Sequence, residues 1–187
     1  PAGPPPPSPA GPWTLYTSYN DLKQAVDAWI ADEATATATH GHISGWDTSR
    51  VNSMSDLFFG RAYFNGEIGG WDTSKVTTMA STFVSAAAFN SELDWDTSKV
   101  TNMKDTFAFT NSFNQPIGSW DTSQLTNMQN TFYRALSFNQ QIGGWDVSKV
   151  TMMGYYTFAY AIAFNSELAD WDTSSVTDMR YAFNRAT

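Results

Sequence analysis

The chain contains no cysteine, which excludes disulfides, thiolate metal sites and a cysteine nucleophile. Histidine is limited to His40 and His42, and 10 lysines and arginines face 18 acidic residues, for a formal charge of -8. Such a balance supplies no basic stripe to neutralise phosphates, so nucleic acid is excluded as a partner. Anionic membrane surfaces are disfavoured for the same reason. No apolar run approaches the ~20 residues of a membrane span, and no membrane insertion of this chain is expected. Proline is almost missing beyond residue 12, because seven of the eight prolines lie in residues 1–12. Those residues are expected to form an extended polyproline II arm. No asparagine sits in an Asn-x-Ser/Thr acceptor, so candidate glycosylation falls on Ser8 and, if hydroxylated, on Pro4, Pro5, Pro6 and Pro7.

What the sequence does contain is a repeat. Trp46, Trp71, Trp95, Trp120, Trp145 and Trp171 recur at spacings of 25, 24, 25, 25 and 26 residues. That period belongs to stacked units, each of which buries its apolar face on its neighbours. The chain therefore divides into the arm (1–12), an N-terminal cap (13–45) and a repeat array of six copies (46–187), the last of them incomplete. Within the cap, Leu22, Val26, Trp29 and Ile30 fall at helical spacing from Ser18 to about Asp32, with Ser18 or Asn20 suited to cap and Asp21 to the first turn. The alternating Thr35, Thr37 and Thr39 either extend this cap or pair with the first copy. On a strand, His40 and His42 would share one side and offer two metal ligands, although a pair without a third ligand is more simply a surface feature.

Numbering each copy from its tryptophan as position 1 separates the columns. Position 6 is Val51, Val76, Val100, Leu125, Val150 and Val176; position 9 is Met in every copy, from Met54 to Met179; position 13 is Phe58, Phe83, Phe107, Phe132, Phe158 and Phe183. Steps of three and four mark one face of a short helix, and the serine of each Trp-Asp-Thr-Ser or Trp-Asp-Val-Ser is placed to cap it. One extra residue at Tyr155-Tyr156 predicts a bulge in the fifth copy. Further on, Phe64, Phe89, Phe113, Phe138 and Phe164 each precede an asparagine. Ile68, Leu93, Ile117, Ile142 and Leu168 then lead toward the next tryptophan through a segment suited to a short strand. Three residues separate that apolar side chain from the tryptophan, so strict alternation would oppose them unless the chain bends at the glycines.

The aspartates Asp47, Asp72, Asp96, Asp121, Asp146 and Asp172 are the candidate metal ligands, since six carboxylates in register resemble a calcium ladder. Capping of the following turn is the simpler account, because the glycine-rich oxygen loops of such sites are missing. The asparagines are suited to bonding the backbone of the next copy. Two threonine columns (Thr48, Thr73, Thr97, Thr122 and Thr173; Thr77, Thr101, Thr126, Thr151 and Thr177) raise an ice-binding array. Tyr63, Tyr133, Tyr155, Tyr156, Tyr160 and Tyr181 are the candidates for surface contacts. No triplet departs from the repeat to set a base beside a nucleophile, so no catalytic residue and no cofactor are expected.

Trp95 to Met103 with Phe107, and Phe138 to Asp146, resemble the repeat of BspA-like leucine-rich-repeat surface proteins. The resemblance covers residues 43–187 and implies a leucine-rich-repeat-like, right-handed parallel β-solenoid with one short strand and one short helical segment per copy, behind an α-helical cap. It further implies an extracellular or cell-surface place and a non-catalytic role in adhesion or structure, with the chain itself, surface glycans or proteins as partners. Because the sixth copy stops before its own Phe-Asn, head-to-tail assembly into a fibre and continuation of a longer array are both expected forms. A glycan-binding or ice-binding module is the competing expectation.

Overall fold

The computed structural model describes residues 14–186. The arm with Pro4, Pro5, Pro6, Pro7 and Ser8 lies outside the described residues. Helix α1 spans Tyr19–Ala31, and the Ser18 hydroxyl accepts the Asp21 amide at its start. It buries Leu22, Ala25, Val26 and Trp29 along one stripe, the side that faces the array. Asp32 closes α1 and opens α2, Glu33–His40, by accepting the Thr35 amide at 3.1 Å. The Thr-Ala alternation is therefore helical. Thr37 and Thr39 satisfy their hydroxyls on the carbonyls of Glu33 and Thr35 within the same helix.

The cap is fastened to the array in three ways. Tyr16 donates to the Asp47 carbonyl and Asp47 to that of Thr14, forming a parallel bridge. Arg61 reaches from the first copy to Asp27 of α1 at 2.6 Å, beside the Lys23–Asp27 pair. Trp46 sits among Tyr16, Trp29 and His40 with ring centroids 5.1–6.2 Å apart.

Copies stack in register from there onward, but the backbone overturns the expected β-solenoid. Among the described residues there are no strands, only isolated parallel bridges linking Ser53, Thr78, Asn102, Asn127, Met152 and Asp178 in turn. Both α-helices belong to the cap. In the first copy, alternate amides point to the second: Met54 donates to the Thr78 carbonyl, Asp56 to Ala80, Phe58 to Thr82 and Gly60 to Val84. The amides between them close turns within their own copy, Leu57 on Met54, Phe59 on Asp56 and Arg61 on Phe58. A helix would need every amide to reach back four residues, and a strand would leave none for local turns.

Left-handed residues are the cause. Among the described residues, twelve non-glycine residues have positive φ, and all except Tyr156 fall in two columns. Position 11 holds Asp56, Ser81, Asp105, Asn130, Tyr155 and Tyr181; position 15, allowing for the extra residue in the fifth copy, holds Gly60, Ser85, Phe109, Arg134, Tyr160 and Arg185. Each L-residue placed there costs ~1–2 kcal/mol and ends any helical run, so spacings of three and four arise here from linked turns. The segment expected to be a strand also curls. Trp71 donates its amide to Ile68, Trp120 to Ile117 and Trp145 to Ile142, and this bend puts the apolar residue and the tryptophan on the same buried side.

The core is a pile of rings. Phe58 and Phe64 stack within their copy at 4.0 Å, Phe107 lies between Phe83 and Phe132 at 5.5 and 5.7 Å, and Phe113 continues the second column to Phe138 at 6.0 Å. Each indole then spends its one donor across the pile. Trp71 gives it to the Ile43 carbonyl, Trp95 to Ile68, Trp120 to Leu93 and Trp145 to Ile117, so burying the tryptophans leaves no orphaned N–H.

Candidate interaction surface

Most repeated polar side chains are consumed in building the stack. The Oδ1 atoms of Asp47, Asp72, Asp96, Asp121, Asp146 and Asp172 each accept the amide of the serine two residues on, at 2.9–3.0 Å. Bonds from that serine's hydroxyl and amide hold the carboxyls of Asp47, Asp72, Asp96 and Asp146 below the usual carboxylate range; for Asp121 and Asp172 the amide contributes first. The six are cap residues of separate turns. Among the described residues no three His, Asp or Glu side chains converge as a metal site.

The asparagines form a ladder along one exposed edge. Asn65 accepts the Asn90 amide at 2.7 Å, Asn90 that of Asn114 at 2.8 Å, Asn114 that of Asn139 at 2.9 Å and Asn139 that of Asn165 at 2.7 Å. The threonine columns are split between interior and surface. Thr48, Thr73, Thr97 and Thr122 are buried and donate to the aspartate carbonyl of the next copy. Thr77, Thr101, Thr126, Thr151 and Thr177 are exposed, yet their hydroxyls donate to carbonyls of the preceding copy. A third column, Thr82, Thr106 and Thr131, has no exposure at all and bonds two methionine carbonyls per hydroxyl. Sequence reading missed this column because the helix it assumed has no place for a buried hydroxyl at position 12.

The histidines do not share a strand. His40 closes α2 beside Trp46, whereas His42 packs edge-on against Trp29 and bonds Ser44 through Nδ1. Near them, a groove of about 760 Å³ runs between the cap and the first copy, lined by Trp29, Glu33, His42, Arg61, Tyr63 and Glu67. Tyr63 stands at this groove, 95 % exposed and apart from the other candidate tyrosines.

Those other tyrosines are brought together by the left-handed columns. In the first two copies these positions are occupied by the small residues Asp56, Gly60, Ser81 and Ser85, of which glycine and aspartate take such a backbone most readily. From the third copy on position 15 carries Phe109, Arg134, Tyr160 and Arg185 instead, whereas position 11, still Asp105 and Asn130 in the third and fourth copies, carries Tyr155 and Tyr181 in the last two. Position 15 becomes an alternating stack, with the Arg134 guanidinium 5.7 Å from the Phe109 ring and 5.0 Å from Tyr160, and Arg185 5.3 Å from Tyr160 on the far side in sequence. Beside it, Tyr133 meets Phe109 at 5.0 Å and Tyr156 at 5.3 Å, and Tyr156 meets Tyr181 at 5.6 Å. Arg180 lies over Tyr155, donates to its hydroxyl and is neutralised by Asp178 at 2.7 Å. Phe109, Arg134 and Arg185 had a signal in the sequence: a column that opens with glycine and then turns to aromatic and arginine.

The family model described as Mycoplasma protein of unknown function, DUF285, matches residues 21–117 and again residues 93–187. The chain belongs to this family. The two matches overlap within the array, as expected where one unit recurs in register, and the first also takes in α1 from Asp21 onward and all of α2. No curated protein and no solved structure matches the chain. Family membership thus carries the repeat and leaves the role to be argued from the surface. Among the described residues no helix is long and apolar enough to cross a membrane.

Proposed function

We propose that this chain is a non-catalytic structural and adhesive module of an extracellular or cell-surface protein, and that it meets its partner through the aromatic and arginine strip of the last four copies. One observation carries the reading: bulky residues occupy backbone positions that glycine, serine and aspartate fill in the first two copies. Side chains retained against a backbone cost of ~1–2 kcal/mol each point to use at the surface. The uniform repeat elsewhere, whose polar groups are bonded between copies, supports a scaffold, and the resemblance to BspA-like surface proteins supports the place. Retention of the labelled protein on intact cells and immobilised matrix tests the reading. Replacing Tyr155 and Tyr181 with Asn, the residue of the same column at Asn130, should lower retention at least tenfold while preserving the fold. Retention equal to the parent, or turnover on a broad substrate panel, overturns it.

A further inference from the structure

Resting on the adhesive reading above, we infer that the strip is a binding site for acidic polysaccharide, with the guanidinium groups of Arg134 and Arg185 as its anion-binding positions. The chain has five arginines and a net charge of -8, and three of the five stand on this strip. Arg180 is already matched by Asp178. Among the described residues, Arg134 and Arg185 have no carboxylate partner and no side-chain hydrogen bond; they are held by rings alone. Two unneutralised cations kept on one tyrosine of an acidic protein are a local reversal of field, and that field selects an anion.

The manner of holding matters as much as the charge. A guanidinium lying over an aromatic face keeps its planar fork of N–H donors free at the edge, where a carboxylate or sulfate is taken by two parallel bonds. Phe109 and Tyr160 therefore act as spacers that fix the orientation of the two forks. Arg134 and Arg185 occupy the same column two copies apart, a separation of ~10 Å at the spacing of stacked backbones. A polymer bearing one anion per disaccharide presents charge at about that repeat. A repeating ligand also suits a site generated by a repeating backbone, whereas an acidic peptide would bring carboxylates of no fixed period to meet it.

Binding of the intact protein to immobilised hyaluronan, with a carboxylate per disaccharide, and to chondroitin sulfate, which adds a sulfate, tests the assignment against neutral dextran and polyglutamate. The expected result is binding to one or both acidic polysaccharides that weakens with salt, none to dextran and at least tenfold less to polyglutamate. The preferred polymer identifies the anion. Arg134→Gln with Arg185→Gln should lower binding at least tenfold at an unchanged melting temperature, and Arg134→Lys with Arg185→Lys should recover only part of it. Failure of both acidic polysaccharides, equal binding of polyglutamate, undiminished binding by the glutamine pair, or full rescue by lysine each overturns the proposal. Should the polysaccharides fail while Tyr155→Asn with Tyr181→Asn still abolishes retention on cells, the ligand class falls and the adhesive reading stands; parent-like retention in that variant removes both.

Discussion

The Thr122 hydroxyl donates to the carbonyl of Asp146 at 3.0 Å, joining the fourth copy to the fifth. Thr48, Thr73 and Thr97 make the same bond to the aspartates of their following copies. Val147 occupies that place in the fifth copy, fully buried, and has no donor to give Asp172. Val147→Thr is nearly isosteric and restores the missing bond, so it should stabilise the array by ~0.5–1.5 kcal/mol. Chemical denaturation checks it, and a loss of stability would show that the fifth interface is built differently from the others.

Phe107 has no exposure and is in contact with three phenylalanines, Phe83, Phe113 and Phe132, at 5.5, 4.1 and 5.7 Å between centroids. Because each copy touches only its neighbours, a cavity here has no second layer to collapse into it. Phe107→Ala should cost ~3–5 kcal/mol, read from the denaturation midpoint at constant slope. Phe59, 54 % exposed, is the control: Phe59→Ala should remain within ~0.5 kcal/mol of the parent.

The columns of this protein were legible in its sequence, and the backbone between them was not. Burial of Val51, Met54, Phe58, Phe64 and Trp71 follows from recurrence alone, since a unit that cannot bury its own apolar face must present the same residues in every copy. The helical reading of position 6 through position 13 failed because linked turns, interrupted by a left-handed residue at position 11, give the same spacing. Asp56, Asp105 and Asn130, residue types that accept positive φ, were the available clue. The expected strand before each tryptophan failed because the chain closes a turn there, the tryptophan amide reaching back three residues, and it does so with glycines after Ile68 and Ile142 and equally with Ala169 and Asp170 after Leu168. At the surface, five of the six candidate tyrosines do converge. Arg134 and Arg185, which give the strip its charge, were passed over because recurrence draws attention to what stays constant, and these residues matter by changing.

Gly60 and Gly70 separate backbone cost from steric cost. A Cβ added to either meets nothing within 4 Å, but Gly60 has φ of 71° and Gly70 lies outside the left-handed region. Gly60→Ala should therefore destabilise by ~1–2 kcal/mol through conformation alone. Gly70→Ala should be neutral or stabilise by ~0.4–1 kcal/mol through the unfolded chain. Thermal melts of the two variants check the contrast, and equal effects would mean that positive φ is not what position 15 demands.

Acid should loosen the array through its aspartates. Hydrogen bonds from the following serines lower the carboxyls of the six turn aspartates, and the Arg180 side chain and amide take Asp178 down to about 2. In the unfolded chain these groups titrate near 3.9. As pH falls below that value the unfolded state takes up protons that the folded state still refuses, and stability declines. Above it both states are ionised and the contribution is fully present. The melting temperature should accordingly be level from about pH 7 to 5 and fall most steeply between about pH 4 and 2. Asp121→Asn separates this cause from general acid unfolding, since an asparagine oxygen still accepts the Ser123 amide and does not ionise. That variant should keep the parent's stability at pH 7 and lose less of it at pH 3. A parallel pair of curves would mean that the Asx bond at Asp121 takes no part in the acid transition.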